Sequence, residues 1–388
     1  KKKIKAMVKI HPLLSKERQA LARRYEKEKR LLGLGSSLWL LLILLAFYFS
    51  RLSLKLAFVF KEKSIIWTFL FYMFIFLLAL TLLGFPLKFY SSYLHEHRWQ
   101  FSNQTFKSWL WDQIKSFLVG LVILWLIAGL LLWIMAKFPG YWWLIAGLAM
   151  AMVSVILATL FPVVIFPIFN KYTPIEDKQL TKALEDILAK GGLKSSGFYK
   201  EDSSRQTKKE NAFLAGLGKT RRVVLADNLL EKMTIPEIES IIAHEVGHFR
   251  YKHLWLNIGL GTCQQLVIFF IIDNLMKFVF PQFLSSPNWN LNLFPILVIA
   301  VGIISGFIFG PISNALSRLF EKQADIYALM MIQDKRPFMT ALAGLADRNL
   351  SNAYPKWWIK ILYYSHPPIG ERLKIAEEFK KGPKNEII

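Results

Sequence analysis

The chain has 388 residues, of which 54% are hydrophobic, and its mean hydropathy of +0.34 lies above the range of ordinary soluble domains. An excess of 49 Lys+Arg over 27 Asp+Glu gives a net charge of +22, which membrane topology explains better than nucleic-acid binding, because the apolar residues are gathered into long uncharged runs. The one cysteine, Cys263, excludes an intramolecular disulfide and a cysteine-based metal cluster, so any metal site must use His and carboxylate.

The chain starts with a basic leader, 1–33, whose first 30 residues carry 12 Lys+Arg against 3 Glu and do not have the form of a cleavable signal peptide. Uncharged runs follow at 34–50, 64–87, 116–136, 138–170, 254–272 and 278–317, the last interrupted by turn-like text at 281–290. Each is long enough to cross the hydrocarbon core as a helix, which predicts six spans in a multi-pass integral membrane protein. Positive flanks stay on the cytoplasmic side, so the leader, a loop at 88–115, the polar insert 171–253 and the segment 318–388 are expected in the cytosol. The opposite face then receives 137–141 and 281–290, while the basic loop 51–63 runs mildly against this assignment. The spans group as four over 34–170 and two over 254–317. Trp142, Trp143, Trp357 and Trp358 read as interfacial anchors, and the leader as a topology signal or a contact for anionic membrane lipid.

The insert 171–253 mixes helix-like and strand-like text. Residues 177–191 read as an amphipathic helix with Leu180, Leu184, Ile187 and Leu188 on one face. Residues 211–217 and 222–225 read as short strands around the turn Gly218-Lys219-Thr220. Thr234 reads as a helix N-cap with Pro236 at the first helical position, and Ile238 stands where a capping box would have Glu.

That helix carries His244-Glu245-Val246-Gly247-His248. His244 and His248, four apart, share a helix face and can bind one Zn2+, while Glu245 can reach a metal-bound water as general base. A catalytic zinc needs a third protein ligand and an open position. The position ten residues after His244 is Leu254, Tyr251 stands where a metzincin has glycine, and His253 is about half a turn round from His244, so neither Leu254 nor His253 is expected as a ligand. Glu321 is the better candidate. If the two spans within 254–317 are antiparallel neighbours, His248 and Glu321 stand at about the same height above the cytosolic boundary, roughly 6 to 10 Å. Asp325, one turn on, can accept the outer N–H of a ligand His. The chemistry this predicts is peptide-bond hydrolysis without a covalent intermediate. The predicted strand with Asn211, Ala212, Phe213 and Gly216 offers an edge for an extended peptide substrate. His95 and His97, two apart, do not share a helix face and are not expected to form a second metal site.

Several segments together resemble the type I CAAX prenyl endopeptidases, a family of integral-membrane zinc metalloproteases. They are His97 to Thr105 with Asp112 to Lys115, Phe166 to Pro174, Asn211 to Arg222, His244 to His248, Glu321 to Asp325, and Ser365-His366-Pro367-Pro368 with Glu371-Arg372-Leu373. The resemblance implies a mainly α, polytopic transmembrane bundle enclosing a chamber, with a cytosolic α+β zinc metalloprotease domain inserted between spans. It also implies that Asn211 assists substrate or transition-state binding and that His366 and Arg372 approach the site. The expected substrate is a peptide or a lipidated, CAAX-type protein cut near its C-terminus, at the endoplasmic reticulum or a bacterial inner membrane. The alternative is a heat-shock-type membrane quality-control protease acting on non-prenylated proteins. The expected cofactor is one Zn2+ per chain, a monomer is plausible, and no nucleic-acid partner is expected.

Overall fold

The computed structural model describes residues 10–59, 65–216, 218–279, 281 and 287–380. The first nine leader residues, Leu217, residues 60–64 of the basic loop and residues 282–286 of the expected turn at 281–290 lie outside the described residues. Twelve helices matter here: α1 (Lys16–Phe49), α2 (Leu52–Phe58), α3 (Ile65–Phe89), α4 (Phe106–Lys137), α5 (Trp142–Leu160), α6 (Lys178–Lys190), α7 (Ile235–Arg250), α8 (His253–Asn274), α9 (Pro287–Met331), α10 (Arg336–Arg348), α11 (Trp357–Tyr363) and α12 (Ile369–Glu378). Among the described residues six helical stretches are long and apolar enough to cross a membrane, namely Lys16–Phe49, Ile66–Arg98, Phe106–Lys137, Trp142–Ile168, His253–Val279 and Leu291–Met331. The protein is a multi-pass integral membrane protein. At seven residues α2 is too short to cross.

The chain divides into two compact units. The first joins residues 1–28, 159–254 and 310–388, and the second joins 29–158 and 255–309. In the second unit apolar side chains pack between spans: Trp142, Phe269, Ile272 and Phe294 in one cluster, and Leu44, Tyr72, Met73 and Phe76 in another. Trp142 departs from the expected interfacial anchor. It is 2% exposed and donates its indole N–H to Asp273 at 2.7 Å, because a buried indole and a buried carboxylate satisfy each other better than either would alone. Trp357, by contrast, is 74% exposed. The motif around Gln104 builds a helix start: Thr105 caps α4 through Ser108 N–H, and the Gln104 amide reaches Asp112 at 2.6 Å.

The first unit holds a four-stranded sheet in the order β1-β2-β4-β3, made of β1 (Tyr172–Pro174), β2 (Phe198–Glu201), β3 (Ala212–Ala215) and β4 (Arg222–Ala226). β2 and β4 are parallel, while β3 pairs antiparallel with β4 alone and leaves an open edge. Gly216 must be glycine, since at φ +89° any Cβ would lie 2.4 Å from the Thr220 carbonyl oxygen. One sheet face contributes Val223, Leu225, Ala212 and Leu214 to the core formed with α6, α7 and α10. Asp177 caps α6 by accepting from Gln179 and Leu180 N–H, and Leu180, Leu184, Ile187 and Leu188 are its buried face. The start of α7 differs from the sequence reading. Ile235 is the first helical residue, which puts Glu237 third, and its carboxylate accepts from both Thr234 N–H and hydroxyl at 2.9 Å. The N-terminal half of α1 is held within this unit: Gln19 bridges Asp347 and Ala353, and Glu26 accepts from Asn352 N–H and from the Tyr364 hydroxyl.

Candidate active site and metal centre

The facing surfaces of α7 and α9 define the site. A Cβ on Gly247 would lie 2.9 Å from Ala324 Cα and 3.2 Å from its carbonyl oxygen, so the absence of a side chain at 247 lets the two helices touch along their backbones. His244 and His248 lie one turn apart on α7, and Glu321 and Asp325 one turn apart on α9, on either side of this contact. The approach brings the four side chains together.

His244 Nε2, His248 Nε2 and the Glu321 carboxylate form a triangle. The nitrogens are 3.1 Å apart, His244 lies 3.2 Å from Oε2 and His248 3.3 Å from Oε1. This is the group of metal-ligating side chains among the described residues that could hold one ion. A tetrahedral zinc with ligands about 2.0–2.2 Å away needs ligand atoms roughly 3.3–3.5 Å apart, so the triangle is nearly of that size. Two observations indicate what would fill it. His244 Nδ1 lies 2.9 Å from Asp325 Oδ1, so the ring donates there and leaves a lone pair on Nε2. Oε2 of Glu321 is buried and has no hydrogen bond of acceptable geometry, although His244 is close by. This convergence of ring nitrogens and a carboxylate oxygen suits a cation, and a metal ion would take the place of a proton on His244 Nε2. Burial opposes positive charge on His244, but the carboxylates of Asp325 and Glu321 beside its two ring nitrogens outweigh burial and raise its pKa to about 9. The same field favours a bound divalent ion.

Arg372, at the start of α12, clamps Asp325 with Nε at 2.8 Å and Nη2 at 2.5 Å, and both side chains are buried. His366 Nε2 lies 3.1 Å from Glu321 Oε1 and the residue is exposed. A cavity of about 240 Å³ opens beside the triangle and is lined by Asn211, Ala212, His244, Glu245, Glu321, His366 and Arg372, with Leu229, Ile241, Phe338, Leu342 and Leu345 as its apolar wall. Asn211, just before β3, and Ala212, its first residue, reach this cavity. Phe213 does not line it: strand alternation turns it to the other sheet face, where it packs on Phe166 with ring centroids 5.4 Å apart. Gly216 shapes the turn after β3 and is also outside the cavity lining.

Three neighbours were not legible in the sequence. Arg348 binds Glu210 through Nε at 2.5 Å and Nη2 at 2.7 Å, and the Asn349 amide pairs with the backbone N–H and carbonyl of Glu210, which fixes the residue preceding Asn211. His253 stands 2.9 Å from His248, Nδ1 to Nδ1. No local periodicity signals such contacts, since Glu210 and Arg348 are 138 residues apart. His97 lies within hydrogen-bond reach of the Tyr93 and Gln104 carbonyls at 2.7 and 2.9 Å.

The sequence matches the family described as "CAAX prenyl protease N-terminal, five membrane helices" over residues 3–171 and "Peptidase family M48" over residues 174–380. Among similar proteins, the uncharacterized metalloprotease YhfN of Bacillus subtilis is 30% identical over 319 residues, covering 81% of this chain and 74% of that one. CAAX prenyl protease 1 of Saccharomyces cerevisiae is 30% identical over 325 residues, with coverage of 79% and 71%. The human CAAX prenyl protease 1 homolog is 28% identical over 360 residues, with coverage of 79% and 74%. The crystal structure of S. mikatae Ste24p superimposes with a TM-score of 0.83 at 25% identity, over 95% of this chain and 91% of that one.

Proposed function

Since the chain belongs to peptidase family M48 and is a membrane metalloendopeptidase, we propose that His244, His248 and Glu321 hold one zinc ion and that Glu245 is the general base of peptide-bond hydrolysis. The observation that carries this reading is the triangle of ligand atoms with 3.1 to 3.3 Å sides, opening onto the cavity that Glu245 lines. Bound there, zinc supplies Lewis acidity to the scissile carbonyl and lowers the pKa of the attacking water. Glu245 takes the proton of that water and delivers it to the leaving amine. Asn211 and His366, both on the cavity wall, donate hydrogen bonds to substrate and to the negative charge that develops on the carbonyl oxygen. Asp325, with Arg372 behind it, keeps the His244 ring in the tautomer that offers Nε2. The substrate backbone adds to the open edge of β3 at Asn211 and Ala212. Such a chain accepts a lipidated, CAAX-type protein at its C-terminus, with the site facing the cytosol as the basic flanks require.

The test is mass spectrometry of products from a farnesylated CAAX peptide and its unmodified twin, with the Glu245→Gln variant as control. Release of the intact C-terminal tripeptide, dependent on Glu245 and on the lipid, supports the reading. Scattered cleavage of both peptides sinks the lipid-specific part and leaves the quality-control alternative.

A further inference from the structure

The helix carrying His244 and His248 does not run on into the next span. It ends at Arg250, Lys252 takes a left-handed conformation with φ 57°, and a new helix begins at His253. A lysine at positive φ is uncommon and costs backbone energy, so the packing around it must favour the bend. The bend redirects a side chain that a continuous helix would have pointed away from the site. The His253 ring is 2% exposed, stacks on Phe320 at 4.4 Å between centroids and 17° between planes, and has Tyr251 near its other side at 5.7 Å. Its Nδ1 lies 2.9 Å from His248 Nδ1, and its Nε2 lies 2.9 Å from Gln323 Oε1.

Two imidazole nitrogens at that distance form a hydrogen bond only if one donates and the other accepts. A ligand role for His248 Nε2 requires its lone pair, which places the ring proton on Nδ1 and makes His248 the donor. His253 Nδ1 therefore accepts, its own proton sits on Nε2, and that N–H donates to the Gln323 carbonyl oxygen. One direction of donation satisfies all three residues. We propose that His253 is the positioning residue of the metal ligand His248, and that Gln323 fixes the tautomer in which His253 can accept.

This inference rests on the metal reading of His244, His248 and Glu321, and it deepens that reading by giving the two His ligands different supports. Behind His244 stands a carboxylate, Asp325, clamped by Arg372; behind His248 stands a neutral chain ending in an amide. A neutral partner orients the ring and strengthens its basicity without adding negative charge beside the ion, so the ion keeps more of its Lewis acidity.

The experiment is the zinc dissociation constant of the full-length protein in detergent, measured by competition with a chromophoric chelator, beside thermal unfolding of the metal-free forms. His253→Phe keeps a flat ring between Tyr251 and Phe320 but removes the acceptor; His253→Asn carries its amide oxygen near the position of Nδ1. The expected result is zinc binding 10- to 100-fold weaker in His253→Phe, recovery to near the wild-type value in His253→Asn, and unfolding of the metal-free His253→Phe close to that of the wild type. Gln323 is exposed, so Gln323→Met folds normally, and it should weaken zinc binding by several-fold. Equal affinity in wild type and His253→Phe overturns the proposal, as does an equal loss in the Phe and Asn variants, which would make the role one of packing. Should His253→Phe fail to fold, unchanged affinity in Gln323→Met overturns it. His248→Ala separates the two levels: if that variant binds zinc as the wild type does, the metal reading itself has failed.

Discussion

Asp325 is fully buried, and Arg372 meets both of its oxygens. A buried carboxylate left without its guanidinium is an uncompensated charge, which costs about 3–5 kcal/mol. Arg372→Met should therefore lower the unfolding free energy of the metal-free protein by that order, measured in denaturant, whereas a surface pair such as Lys374–Glu378 should contribute little when broken. Glu201 gives a test in pH. Burial first, and then Asp202 and Asp227, push its pKa up from 4.5 to about 7. Its folded-state pKa is thus above the unfolded one, so the stability tied to its neutral form is present below about pH 4.5 and is lost as pH rises through about 7. Glu201→Gln should flatten the fall in melting temperature between those values; an unchanged slope would remove Glu201 as its source. At this scale the sequence was informative where spacing carries chemistry. His244, Glu245 and His248 follow from helical four-residue spacing, Glu321 from its height beside the last span, and Asp325 from lying one turn after Glu321. His253 was judged as if the helix were continuous; the bend at Lys252 made that geometry inapplicable.

Helices α7 and α9 can hold a small ion between them because Gly247 has no Cβ to keep Ala324 away. Gly247→Val should force the helices apart, costing about 1–3 kcal/mol as overpacking, and should weaken zinc binding, since His244 and His248 on one helix and Glu321 on the other flank the contact. Gly259→Ala, in open space on α8, is the matched control and should be neutral or slightly stabilising. Calorimetric unfolding of both variants distinguishes a contact effect from a propensity effect. The elements themselves were unevenly legible. α6 was readable because its apolar period and its Asp177 cap agree. β3 and β4 were readable from the turn Gly218-Lys219-Thr220 between them, while Gly216, read as strand, follows the end of β3 at positive φ. β1 and β2 were missed: they are three and four residues long, β1 ends on a proline, and β2 gains its place by parallel pairing with β4 across an intervening strand. Nothing in so short a stretch distinguishes it from a loop.

Six apolar helices among the described residues make the membrane character plain from composition alone, and the family match extends it to a protease. The assembly of the first unit from three separate segments was beyond sequence reading. The basic leader reads as a topology signal or a contact for anionic lipid, and its Gln19 also reaches Asp347 and Ala353, more than 320 residues away in sequence. The two roles are compatible, because Lys16, Arg23, Arg24, Lys27 and Lys29 of α1 remain exposed while Gln19 and Tyr25 are buried. The central claim is that one zinc, held by His244, His248 and Glu321, makes Glu245 an effective base. Its most direct test is zinc content per chain, determined by elemental mass spectrometry, alongside peptide hydrolysis for the wild type, Glu321→Gln and Glu245→Gln. The account predicts about one zinc in the wild type and in Glu245→Gln, with hydrolysis reduced at least 10²-fold in the latter, and a loss of both zinc and hydrolysis in Glu321→Gln. Full zinc content in Glu321→Gln, or undiminished hydrolysis by Glu245→Gln, would contradict it.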